Sequence, residues 1–220
     1  MKIVLIEDQA MFRGLLERIC RQHFHLAVVG EAEDAVTGLE LCRRHKPDMV
    51  LLDLNLPDRD GVSLAEDLLA EQPKLRILAL SSECDDYTLY RVLNSGIHGY
   101  VDKNRQSVDV LKIAINEVIH GRVFFADVVQ QVRQRLRKEP AAFPKLLSPR
   151  EQEILSVLGG GLNDEEAARE LRLSRFTVGC HRRNIMGKLG VHRTPDLIRY
   201  AVSKGFSKLN SFRERNAGRA

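Results

Sequence analysis

The chain has 220 residues, 44% of them hydrophobic and 29% charged, with no tryptophan; this is the composition of a globular protein and excludes a collagen-like or intrinsically disordered chain. No apolar run approaches the ~18 residues of a membrane span, and the first apolar stretch turns acidic at Glu7-Asp8, too soon for a secretion signal, so the protein is expected in the cytoplasm and away from membranes. The formal charge of +4 hides two unlike halves, since residues 1–120 hold 14 Lys/Arg against 20 Asp/Glu and residues 121–220 hold 20 against 10. Only the second half is suited to a polyanion.

Taken in chain order, residues 1–120 alternate short apolar runs with amphipathic stretches. The runs at 3–6, 26–29, 49–52, 75–80 and 99–101 are too short for helices, and most are rich in Val, Ile and Leu. Between them, apolar residues recur at helical spacing: Met11, Leu15 and Ile19; Val36, Leu39 and Leu41-Cys42; Val62, Ala65 and Leu68-Leu69; Val110-Leu111, Ala114 and Val118. Strand-helix units repeated five times predict an α/β doubly wound, five-stranded parallel sheet buried on both faces. Gly121 ends the pattern. A helix is expected at about 126–138 on Val128-Val129, Val132 and Leu136, and the two prolines of 139–144 break it as a linker. A small all-α domain follows. Ser148-Pro149-Arg150-Glu151 reads as a capping box with proline in the first turn, Asn163 with Glu166 as a second cap, and Ser174 as the cap of a third helix to about Lys188. Two helices joined by a tight turn, the second carrying arginines, fit a helix-turn-helix or, equally, an ordinary three-helix bundle with a solvated basic face. The expected division is therefore 1–120, a helical linker at 121–145, the helix-turn-helix domain at 146–206, and a basic, frayed tail at 207–220.

The four cysteines, at 20, 42, 84 and 180, form no CxxC pair and no Cys/His cluster, which argues against a zinc site or a disulfide framework. The polar residues of the first half are more telling. In an open parallel sheet ligands bind beyond the carboxyl ends of the strands, and this chain puts Glu7-Asp8, Asp53, Ser81-Ser82 and Lys103 at those ends. Three close carboxylates need a positive charge between them. Their hard oxygens suit Mg²⁺, and a carboxylate can accept a phosphoryl group. Each residue alone is better explained as a loop cap or a solvated charge; it is their joint placement on four strand ends that points to phosphoryl chemistry.

The same residues carry a family resemblance. Glu7-Asp8, Leu51-Leu52-Asp53-Leu54-Asn55-Leu56-Pro57, Asp60-Gly61, Leu80-Ser81 and Gly99-Tyr100-Val101-Asp102-Lys103 resemble the flavodoxin-like receiver domain of two-component response regulators. The resemblance implies that Asp53 is the phosphoacceptor and that Glu7, Asp8, Asp53 and the Asn55 backbone carbonyl hold Mg²⁺. It also implies that Lys103 contacts the phosphoryl group, that Ser81 and Tyr100 are a switch pair, and that the donor is a sensor histidine kinase. Leu147-Ser148-Pro149-Arg150-Glu151-Gln152-Glu153-Ile154-Leu155, Leu173-Ser174-Arg175-Phe176-Thr177-Val178 and 181–191 resemble the LuxR/NarL-type DNA-binding domain. That resemblance implies duplex DNA as partner, a homodimer when phosphorylated, and Arg175, Thr177, Gly179, Arg182, Arg183 and Lys188 on the DNA side. A regulator of transcription is expected rather than an enzyme. Gly179 and Glu165 stand where the family often has basic residues. They leave open an adaptor with weakened DNA binding; a regulator independent of phosphorylation is a separate alternative, against which the intact acids, Ser81 and Lys103 argue.

Overall fold

The computed structural model describes residues 1–206. The expected tail at 207–220 lies outside the described residues. Two compact units emerge, one of Met1–Cys84 with Leu89–Gln131, the other of Asp85–Thr88 with the described residues from Val132 onward.

In the first unit the strands are β1 (Lys2–Ile6), β2 (Ala27–Ala32), β3 (Met49–Asp53), β4 (Arg76–Ser81), β5 (Gly99–Asp102) and β6 (Phe124–Phe125). They form a parallel sheet in the order β2-β1-β3-β4-β5-β6. Among the described residues that is six strands where five were expected. The extra one is the two-residue β6, too short to leave a pattern in sequence and held against β5 through Gly99 and Tyr100. The helices between the strands are α1 (Ala10–Arg18, continued by a π-helical turn at Ile19–His23), α2 (Ala35–His45), α3 (Gly61–Glu71), α4 (Asp86–Asn94) and α5 (Val108–Ile119). Asp34, Asp60 and Ser107 cap α2, α3 and α5 by accepting from backbone amides three residues on. On one side of the sheet Ile3, Leu5, Met49, Leu51, Leu78 and Leu80 pack with Leu16, Ile19 and Cys20 and with Leu111, Ala114, Ile115 and Val118. The intervening strand residues, among them Val4, Ile6, Val50, Leu52, Ile77 and Ala79, are equally buried, as expected for a sheet covered on both faces.

Two expected core positions are corrected. Met11 is 89% and Val36 64% exposed. The buried arc of the first helix runs through Leu16, Ile19 and Cys20. Met11 lies five residues before Leu16, about 140° around the helix. In α2 the buried residues are Ala35, Gly38 and Cys42, and Val36 faces away from Gly38 by about 200°.

The second unit is helical: most of α6 (Asp127–Lys138), then α7 (Phe143–Leu146), α8 (Pro149–Gly159), α9 (Asp164–Leu171), α10 (Arg175–Leu189) and α11 (Thr194–Ser203). Both expected capping boxes form. Ser148 and Glu151 exchange hydrogen bonds at the start of α8, and Asn163 and Glu166 do so at α9. Ser174 caps α10, and Gly190 ends it in the left-handed conformation at φ 67°. Ile154, Leu155, Ala167, Val178, Ile185, Leu197 and Ala201 make the core of this unit. No helix among the described residues is long and apolar enough to cross a membrane.

Candidate functional site

Sheet register gathers the polar strand ends of the first unit. Ile6 pairs with Leu52, Asp53 with Leu80, and Ser81 with Asp102. Glu7, Asp53, Ser81 and Lys103 therefore emerge side by side although they span nearly 100 positions of sequence. One carboxylate oxygen each from Glu7, Asp8 and Asp53 can be chosen so that all lie within 4.8 Å of one another. Glu7 and Asp53 are buried and Asp8 is exposed. The Lys103 ammonium bridges the two buried acids, 2.7 Å from Glu7 Oε2 and 2.8 Å from Asp53 Oδ2, and lies 4.9 Å from the centre of the Phe12 ring. The other Asp53 oxygen accepts from the Asn55 amide at 2.9 Å.

Three carboxylates against one ammonium leave a formal charge of −2 in a largely buried site. Burial, joined by the charge of Asp53, pushes the Glu7 carboxyl up to about 7 despite the Lys103 ammonium. Hard oxygen ligands, excess negative charge and one open, exposed acid fit a divalent cation of the Mg²⁺ type. Gly61 shows how tightly the loop after β3 is drawn in. A Cβ there would lie 2.4 Å from the Asp53 carbonyl oxygen and 2.6 Å from the Leu54 Cα, so any side chain would push the acid-bearing segment out of place.

Ser81 is fully buried and its hydroxyl accepts from the Glu83 amide at 3.0 Å. Tyr100 is also fully buried and donates to the Glu83 carbonyl at 2.5 Å. Burial raises the Tyr100 phenol well above its ordinary value. Two neighbours, Arg13 and Cys84, were given no role at this site from sequence. Arg13 donates to the Glu7 carbonyl at 2.5 Å. The Cys84 thiol donates to the buried Asp102 carboxylate at 2.9 Å and lies 3.5 Å from the Tyr100 hydroxyl. Burial, helped by Asp102, pushes that thiol up to about 11. Asp102 lies inside the strand-end motif and was legible there; Arg13 and Cys84 carry no local signal.

In the second unit, Arg175, Thr177, Gly179, Arg182, Arg183 and Lys188 all lie on α10. They do not present their charges alike. Arg182 is held by Asp164 at 2.9 Å and Lys188 by Glu151 at 2.7 Å. Arg183 is exposed and donates to the Cys180 sulfur at 3.3 Å. Arg175 is exposed and makes no ion pair among the described residues. Thr177 shares a hydroxyl contact with the Ser174 cap at 2.7 Å. A Cβ at Gly179 would lie 3.3 Å from the Asp164 oxygen that holds Arg182. Glycine at this position thus leaves room for that ion pair.

Comparison with known proteins agrees with both units. Residues 3–115 match the response regulator receiver domain and residues 145–201 the luxR family of bacterial regulatory proteins. The oxygen regulatory protein NreC of Staphylococcus aureus is 32% identical over 213 residues, covering 93% of this chain and 98% of NreC. Among solved structures, RcsB of Salmonella enterica serovar Typhimurium bound to promoter rprA with the phosphomimetic BeF3- aligns over 91% of this chain and 97% of its own at TM-score 0.68 and 25% identity. A structure of two RcsB dimers bound to two parallel DNAs aligns over 92% and 98% at TM-score 0.61 and 26% identity.

Proposed function

The chain belongs to the response regulators that join a receiver domain to a LuxR-type helix-turn-helix domain, and we propose that phosphorylation of Asp53 switches its binding to duplex DNA and hence transcription. The observation that carries this reading is the Lys103 ammonium 2.8 Å from the Asp53 carboxylate, inside a pocket where three carboxyl groups meet that one cation.

Asp53 is the nucleophile. Its oxygen attacks phosphorus of a phosphohistidine on a sensor kinase, a P–O bond forms, the P–N bond breaks, and the imidazole leaves with the electron pair. Lys103 holds Asp53 beforehand and pairs with the added phosphoryl charge afterwards. Glu7, Asp8, Asp53 and the Asn55 carbonyl would hold Mg²⁺, which would supply the remaining positive charge that the phosphoryl oxygens require. The Ser81 hydroxyl accepts from Glu83 and is hydrogen-bonded to the Tyr100 hydroxyl, and its proton turns from there toward a phosphoryl oxygen. Turning that hydroxyl toward the phosphate loosens Glu83, whose carbonyl anchors Tyr100. Ser81 and Tyr100 are thereby coupled through Glu83 as well as directly.

The receiver domain occupies 1–120, a helical linker 121–145 and the DNA-binding domain 146–206. Helix α10 enters the major groove, with Arg175 and Arg183 at base edges or phosphates, and a phosphorylated homodimer spans two half-sites. This work is done in the cytoplasm, with the genome as the second partner. A second reading, an adaptor with weakened DNA affinity, draws on Arg182 and Lys188 being neutralised by acids of their own unit.

Genomic-fragment binding tests both, using wild type and Asp53→Ala, each with and without a small phosphodonor plus Mg²⁺. The regulator reading expects enrichment only for wild type with donor. Fragments that enrich equally in all four conditions would refute the phosphorylation switch, and absence of enrichment throughout would favour the adaptor.

A further inference from the structure

Phe176, the second residue of α10, is 78% exposed, whereas Val178 and Ile185 on the same helix are fully buried. The ring therefore stands outside the core of its unit, and it leaves a large apolar surface in water. Its setting is cationic. Residues 175–189 contain no acid, and although Asp164 and Glu151 pair with Arg182 and Lys188, Arg175 and Arg183 stay exposed and make no ion pair among the described residues. Gly179 and Arg183 follow Phe176 at i+3 and i+7, so all three share one face. With no side chain at Gly179, the strip between the ring and Arg183 is flat, with the Asp164 carboxylate alongside it.

A lone apolar group among cations, near the amino end of a helix, matches one feature of the duplex major groove. Thymine alone among the four bases displays a methyl group there, flanked by polar base edges and by phosphates. The charge of α10 favours a polyanion as occupant over a second apolar protein surface. We infer that Phe176 reads a thymine methyl group in the major groove, and so sets sequence preference alongside the arginines. This rests on the DNA-binding reading above and adds the base that the face selects. The ring makes no phosphate contact, so it contributes discrimination without salt dependence.

The test uses the full chain with phosphodonor and Mg²⁺ to select sites from a random duplex library. The enriched site is then remade with each thymine in turn replaced by deoxyuridine, which removes only the methyl. Wild type should bind about fourfold more weakly at one thymine per half-site, the loss expected for one buried methyl-sized group. Phe176→Ala should bind the unmodified site more weakly by a similar factor and be indifferent to deoxyuridine. Its slope of log affinity against log salt should equal that of wild type. The exposed ring can be removed without opening the core, and an unchanged circular dichroism spectrum checks that. Indifference of wild type to every deoxyuridine overturns the inference and leaves DNA binding standing, as does Phe176→Ala retaining full methyl sensitivity. A library that yields no enriched site overturns the DNA-binding reading and this inference with it. Loss of self-association in Phe176→Ala, combined with indifference of wild type to deoxyuridine, overturns it by assigning the ring to a protein contact.

Discussion

Lys103→Met removes the one cation that sits between two buried carboxylates. Its ammonium is 2.7 Å from Glu7 and 2.8 Å from Asp53, and its side chain is only 8% exposed. Removing one partner of a buried pair costs about 3–5 kcal/mol when the stranded charge has no relief. Here relief exists, because Glu7 is already pushed up to about 7, by burial first and then by Asp53, and Lys103 acts to lower it. Without the ammonium, Glu7 rises further and takes a proton. The folded variant then holds a proton that the unfolded chain, with Glu7 near its ordinary 4.5, gives up. Stability must therefore fall as pH rises from about 4.5 through 7 and beyond. We expect a loss of about 2–4 kcal/mol at pH 8 and less than half of it at pH 5. Saturating Mg²⁺ should restore more stability to the variant than it adds to wild type, about 2.7 kcal/mol at one hundred times the dissociation constant. Calorimetry of the full chain at pH 5 and 8, with Mg²⁺ and with a chelator, reads all of this in the transition of the first unit. A loss below about 1 kcal/mol that is the same at both pH values would refute the argument that Lys103 offsets the carboxylate repulsion.

Other perturbations follow from the same geometry. In wild type, Mg²⁺ must displace the proton on Glu7, so its apparent affinity, measured by isothermal titration, should climb as pH rises toward 7 and level off above it. Gly61→Ala places a Cβ 2.4 Å from the Asp53 carbonyl oxygen; we expect a loss of about 1–3 kcal/mol in denaturant melts and slower labelling by a small phosphodonor. Asp164→Asn frees Arg182 from its ion pair, and should steepen the salt dependence of DNA binding by about one unit of log–log slope in fluorescence anisotropy. Burial alone would raise Glu151, but Lys188 and the Ser148 cap outweigh it and hold the carboxyl below 4.5. Its contribution is thus present above pH 4.5 and lost as pH falls through the lowered value; Glu151→Gln should flatten that acid limb in the melting of the second unit.

How much of this was legible without coordinates depends on the range of the forces involved. Buried strands announce themselves as short apolar runs because both faces must be dry, and the acids, Ser81 and Lys103 stand out as polar residues ending those runs. Helix starts were equally plain, since Ser148 with Glu151 and Asn163 with Glu166 satisfy orphan amides within three residues of sequence. Met11 and Val36 were misread because a helix of apolar spacing does not say which of two adjacent arcs meets the sheet.

Sequence by itself determined the two-unit plan, the strand ends that carry the acids and the helix that carries the arginines, because period, caps and charge are properties of near neighbours along the chain. Tertiary structure decided which of those charges are spoken for. Lys103 meets acids 96 and 50 residues away, Lys188 meets Glu151 37 residues back, and Arg182 meets Asp164 18 residues back. Ion pairing depends on a few ångströms of separation, and only the packing of one element on another sets those distances.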